Sequence, residues 1–184
     1  MPTPIHLIRA GPGVPVDLLD ELAASLARAL HVSCHVNVEP VDLAFAHDAA
    51  RGQYRSTEIL KWLANRPARP QARQLAITAE DLFVPVLTFV FGEAQLCGTC
   101  AVVSLHRLRE EFYGLPPNPA LLRARLRKEA LHELGHTFGL RHCDDWQCVM
   151  SSSHSVERLD LKDEFCEECA WIAAREAQGS PSPT

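Results

Sequence analysis

Apolar residues recur along this chain in two rhythms, and the change between them marks out the elements. Ile5 to Arg9 is a short apolar run that reads as a strand, and Val16 to Leu30 sets Leu18, Leu19, Leu22, Leu26 and Leu30 at helical spacing after Pro15. From Ser33 to Phe45 apolar and polar positions alternate through Cys34, Val36, Val38, Val41 and Leu43, as in a half-buried strand, with Pro40 marking an edge or a bulge. Ser56 to Asn65 has the spacing of a helix, with Ser56 or Thr57 as its cap and Pro67 and Pro70 as its bounds. Gln74 to Ile77 and Val84 to Phe91 are rich in β-branched and aromatic residues and predict strands, and Ala101 to Leu105 predicts another. After a Pro/Gly loop from Gly114 to Asn118, the pair Asn118-Pro119 caps a long helix with Leu122, Leu126, Ala130 and Leu134 on one stripe, ending near Leu134 to Thr137. Strands alternating with helices in the first half, then mostly helix, indicate an α/β architecture.

Composition narrows the possibilities only modestly. The 184 residues suit one domain, placed here at residues 1–178, with a Gly/Ser/Pro-rich tail at 179–184 that cannot bury apolar area and is expected to be disordered. A net charge of -5 offers no general attraction to nucleic acid or anionic membrane. No stretch has the length of a membrane span and no export signal is visible, so a cytoplasmic location and a monomer are the default expectations.

The chemistry lies at the end of the long helix. His132 and His136, four residues apart, leave the same helical face and can ligate one metal, with Glu133 beside them. Gly139 can reverse the backbone and return His142 toward the pair, which completes an extended zincin pattern from His132 to His142. Chance assembly of these five positions from the chain's own composition is on the order of one in ten thousand, so composition alone does not explain them. Three imidazoles on zinc leave a fourth position for water, and Glu133 is placed as its general base.

Four cysteines follow: Cys143, Cys148, Cys166 and Cys169. Four thiolates close a tetrahedral site and suit a structural zinc, giving two zinc ions per chain; disulfides or separate core thiols are the alternative. A second pair, Cys97 and Cys100, could replace two of these ligands, form a labile disulfide, or be two unrelated buried thiols, and the last is preferred because the shell is already complete. Cys34 reads as a core residue. Because His142 and Cys143 are adjacent, the stabilities of the two metal sites should be coupled. Glu129 and Asp144 could orient ligating imidazoles, whereas His6, His31, His35, His47, His106 and His154 read as surface or core histidines.

The extended motif followed directly by Cys143, then Cys148, Met150 and Cys166-Glu167-Glu168-Cys169, resembles the archaemetzincins, as do Gly52 to Thr57, Asp81 to Pro85, Phe89 to Gly92 and Phe112 to Pro116. The resemblance implies a compact metzincin-like domain: a twisted, mainly parallel sheet with an antiparallel edge strand, an active-site helix and a zinc-bound C-terminal segment. It implies no propeptide, and it makes Met150 the apolar floor beneath the histidines. It also implies that the strand around Gly98 to Ser104 borders the cleft and pairs with a peptide or protein substrate in extended form. A zinc-dependent metallopeptidase is therefore expected. The rivals are a zinc amidase acting on non-peptide substrates and a metal-bearing interaction module with little turnover.

Overall fold

The computed structural model describes residues 2–66 and 72–179. Five strands form the main sheet: β1 (Ile5–Ala10), β2 (Cys34–Val41), β5 (Arg73–Thr78), β7 (Gly92–Ala94) and β8 (Cys100–Ser104). They lie in the order β2-β1-β5-β8-β7, and all neighbours are parallel except β7, which runs antiparallel to β8 at one edge. A smaller sheet joins β3 (His47–Asp48), β4 (Gln53–Arg55) and β6 (Leu82–Phe83). The helices are α1 (Val16–Leu30), α2 (Ser56–Ala64), α3 (Pro119–Thr137), α4 (Val156–Asp160) and α5 (Glu167–Ala177). Among the described residues no helix is long and apolar enough to cross a membrane.

The side-chain alternation of the strands separates two cores. Ile5, Leu7, Leu75, Ile77, Ala101 and Val103 meet α1, α3 and α5 on one face, while Ile8, Ala10, Ala76, Cys100 and Val102 meet Ile59, Leu60 and Leu63 of α2 on the other. The leucine stripe of α1 is buried as its spacing predicts, each leucine contributing about 1.5–3 kcal/mol relative to exposure. Pro40 falls in β2, the other edge of the sheet, where its missing N–H disturbs no ladder on the open side.

Several sequence expectations require correction. Val84 to Phe91 is not a strand: Pro85 stops the extended run after β6, and the segment turns outward with Val86 88% exposed and only Val90 bridging back to Leu82. The strand through Gly98 to Ser104 is not at the edge either. β8 lies between β5 and β7, and β7 takes the edge beside the cleft. Ser56 and Thr57 do not cap α2 but donate hydroxyl hydrogen bonds to Glu93 on β7, Thr57 at 3.0 Å. Pro67, Pro70 and residues 180–184 of the expected tail lie outside the described residues.

Candidate active site

The local sequence of α3 explains how its end becomes a site. Asn118 Oδ1 accepts the Leu121 N–H at 3.1 Å and Pro119 opens the first turn. The helix stops at Gly139, whose φ of +90° is left-handed backbone that a side chain would strain. Gly139 N–H donates to His136 O at 2.9 Å and Leu140 N–H to Gly135 O at 3.0 Å, closing the helix end. This reversal carries the Leu140 carbonyl to His136 and the chain onward to His142.

The three histidines converge. Their candidate ligand nitrogens all lie within 4.8 Å of one another. His132 Nδ1 lies 2.7 Å from the Val149 carbonyl and His136 Nδ1 lies 2.8 Å from the Leu140 carbonyl, so both Nδ1 atoms donate and both Nε2 atoms keep their lone pairs. Those two Nε2 atoms face each other at 3.0 Å. Two lone pairs at that distance repel unless a cation lies between them, which is the fit expected of a zinc ligand set. Burial holds His132 down to about 3, and burial likewise lowers His136 and His142, keeping the imidazoles neutral as metal ligation requires. Backbone carbonyls orient these rings; Glu129 and Asp144 do not. Glu129 instead hydrogen-bonds Glu133, and Asp144 is exposed.

Glu133 is buried beside His132 with Glu129 one turn earlier. Burial and the neighbouring Glu129 carboxylate push Glu133 well above the usual range, while burial lifts Glu129 to about 7. Lys162, itself buried, donates to the Val149 carbonyl at 3.0 Å and to the Ser151 carbonyl. The Val149 oxygen thus accepts from both Lys162 and His132. Opposite Glu133 sits Gly92 of β7, where a Cβ would lie 2.7 Å from Glu133 Cγ and Oε1. On α3 itself, the fully buried Met150 packs where a Cβ on Gly135 would be.

The cysteine cluster forms directly alongside. The Sγ atoms of Cys143, Cys148, Cys166 and Cys169 lie within 4.8 Å of one another, with Cys143 and Cys166 at 3.9 Å. Thiolates on a zinc with Zn–S bonds of about 2.3 Å stand about 3.8 Å apart, so the cluster has the dimensions of such a site. Cys148 Sγ accepts the backbone N–H groups of Met150 at 3.4 Å and Cys166 at 3.3 Å. All seven cysteines are free. Cys97 and Cys100 join neither cluster, and they are not both buried as expected: Cys100 is buried within β8, but Cys97 is exposed in a left-handed turn, its N–H on the His136 carbonyl at 3.0 Å. Cys34 is half-buried against the main core.

A cleft of about 450 Å³ opens over the histidines. It is lined by Leu87 to Ala94, the loop before β7 and β7 itself, by Glu129, Glu133 and Lys162, and by Ser152, Ser153 and His154. Sequence reasoning missed Gly92, Lys162 and His154. The four-residue spacing of Glu129 and Glu133 was a visible sign of paired carboxylates, but nothing in the sequence marks a lysine as buried.

A mixed α/β sheet over a helix that carries His132 and His136, with His142 brought to them by the turn that follows, defines a metallopeptidase of the metzincin class. The chain matches the model of Peptidase family M54 over residues 71–175. It is 48% identical over 126 residues, 68% of each chain, to an archaemetzincin of Methanocaldococcus jannaschii. The solved archaemetzincin of Methanopyrus kandleri superposes with a TM-score of 0.82 at 36% identity, covering 95% of this chain and 94% of that one. A zinc-dependent peptidase from Methanocorpusculum labreanum gives 0.83 at 30% identity, covering 92% and 99%. The chain belongs to the archaemetzincin family and is a zinc metalloprotease.

Proposed function

We propose that residues 1–178 form a metallopeptidase domain in which His132, His136 and His142 hold the catalytic zinc, Glu133 is the general base, and Cys143, Cys148, Cys166 and Cys169 hold a structural zinc. The single observation that carries this reading is the approach of the His132 and His136 Nε2 atoms to 3.0 Å with both Nδ1 atoms committed to carbonyls. Bound there, zinc supplies Lewis acidity toward a peptide carbonyl and lowers the pKa of a water toward 7. Glu133 takes the proton of that water as its oxygen adds to the carbonyl carbon, and returns it to the nitrogen as the C–N bond breaks. Gly92 leaves room for the carboxylate, and the open edge of β7 offers backbone groups to an extended peptide running along the cleft. The Val149 carbonyl orients His132, and Met150 packs against Gly135 on the same helix.

The test is Glu133→Gln. The variant should retain two zinc ions per chain by elemental analysis and lose about 10²–10⁴-fold in kcat on peptides chosen from a library. Undiminished hydrolysis would remove Glu133 from its role, and a zinc content of one or none would remove the corresponding site.

A further inference from the structure

Among the residues lining the cleft is a group that this scheme does not use. Hydrolysis through Glu133 turns the carbonyl oxygen into an oxyanion, and rate acceleration depends on donors aimed at that oxygen. Glu133 lies against Gly92 of β7, and a hydrogen-bond donor elsewhere in the cleft would add to the stabilisation that the proposed zinc gives that oxygen. Most lining groups are already committed. Glu93 accepts from Thr57 and Ser56, Glu129 bonds Glu133, and Lys162 donates to the Val149 and Ser151 carbonyls.

The segment Ser152 to His154 follows Met150 in the chain and lines the cleft. His154 is exposed and its one side-chain hydrogen bond among the described residues is a long one, Ser152 Oγ to Nε2 at 3.4 Å. Beside it, Ser153 Oγ is buried with no hydrogen-bond partner among the described residues, so this segment has polar capacity that the fold itself does not satisfy. His154 lines the cleft together with His132, His136 and His142.

Building on the proposed function, we infer that His154, which lines the same cleft as Glu133 and the three histidines, is a further catalytic residue, donating a ring N–H to the oxyanion of the tetrahedral intermediate. The electron pair of the carbonyl π bond moves onto that oxygen as water adds, and it returns when the C–N bond breaks; His154 only donates a hydrogen bond. A neutral imidazole keeps one N–H, so no change in its protonation is required. Because the side chain is exposed and loosely tied, its replacement should leave the fold intact.

The test compares zinc-loaded wild type, His154→Ala and His154→Gln, with Glu133→Gln as the inactive control. His154→Ala should lose about 10–10²-fold in kcat with KM within about threefold, and His154→Gln, which retains an N–H donor, should recover part of the loss. Calorimetry with a phosphinic pseudopeptide, whose tetrahedral oxygens imitate the intermediate, should show His154→Ala binding weaker by a similar factor while zinc content stays unchanged. A kcat within twofold of wild type, a loss confined to KM, or unchanged pseudopeptide affinity would overturn the assignment. Should wild type hydrolyse no peptide, the proposed function fails instead, and the pseudopeptide titration then decides His154 on its own.

Discussion

Gly92→Ala tests most directly how this fold would position Glu133 for the role of base proposed above. A methyl group at that position would sit 2.7 Å from both Glu133 Cγ and Oε1 and 2.8 Å from the Val102 carbonyl oxygen, whereas ordinary contact begins near 3.4 Å. The carboxylate, the β7 backbone, or both must therefore yield by about 0.7 Å, and the neighbouring strand β8 prevents β7 from absorbing the whole shift. Overpacking of this kind costs about 1–3 kcal/mol, and about 2–4 °C in Tm follows per kcal/mol for a chain of this length. The effect on rate should be larger, because misplacing a reacting group by about 1 Å costs on the order of 10²-fold. The assay is kcat/KM on a library-selected peptide, with zinc content and thermal melting measured on the same preparations. In a Glu133→Gln background, Gly92→Ala should lower Tm as before but cost no further activity, since the displaced group is already disabled. Activity within twofold of wild type at full zinc occupancy would refute the claim that Gly92 makes space for Glu133.

Two further outcomes are expected. Cys166→Ser should release one zinc and also weaken retention of the other by about 10–100-fold in chelator competition, because Cys148 accepts the Cys166 N–H while the next residue's carbonyl holds His132; full retention would show the sites to be independent. In chelator-treated protein, folded Glu129 titrates at about 7 against about 4.3 when unfolded, so the folded state keeps a proton that the unfolded state gives up and stability falls as pH rises through that window, by at most about 1.4 kcal/mol per unit. Glu129→Gln should flatten this fall in denaturant titrations at pH 5 to 7; parallel slopes for wild type and variant would exclude the buried carboxyl as its source.

The sequence disclosed the convergent side chains better than the walls around them. His132, His136 and His142, and the four later cysteines, are brought together as expected, because helical periodicity and the Gly139 turn are local properties. The α1 stripe and the strands from Ile5 and Gln74 follow from equally local patterns. Val84 to Phe91 misled because its β-branched and aromatic composition outweighed Pro85, and because side chains that face a cleft have the same apolar character as those that face a core. The position of β7 at the edge depends on long-range pairing, and the burial of Lys162 on two carbonyls donated by a segment 11 and 13 residues earlier; neither is encoded in periodicity. His154 reads from sequence as an ordinary surface or core histidine because a histidine outside a spacing motif has no sequence signature of its location.

The three-residue length of β7 has a consequence for how the molecule behaves toward its own copies. An uncovered sheet margin is ordinarily an invitation to fibre-like stacking, and brevity is one of the ways proteins refuse it. Here the margin beside the cleft is too brief to template a neighbour's sheet, yet its N–H and C=O groups remain open to a single loose segment of chain. A molecule built in this way can leave its reactive border bare in solution without joining to others along it.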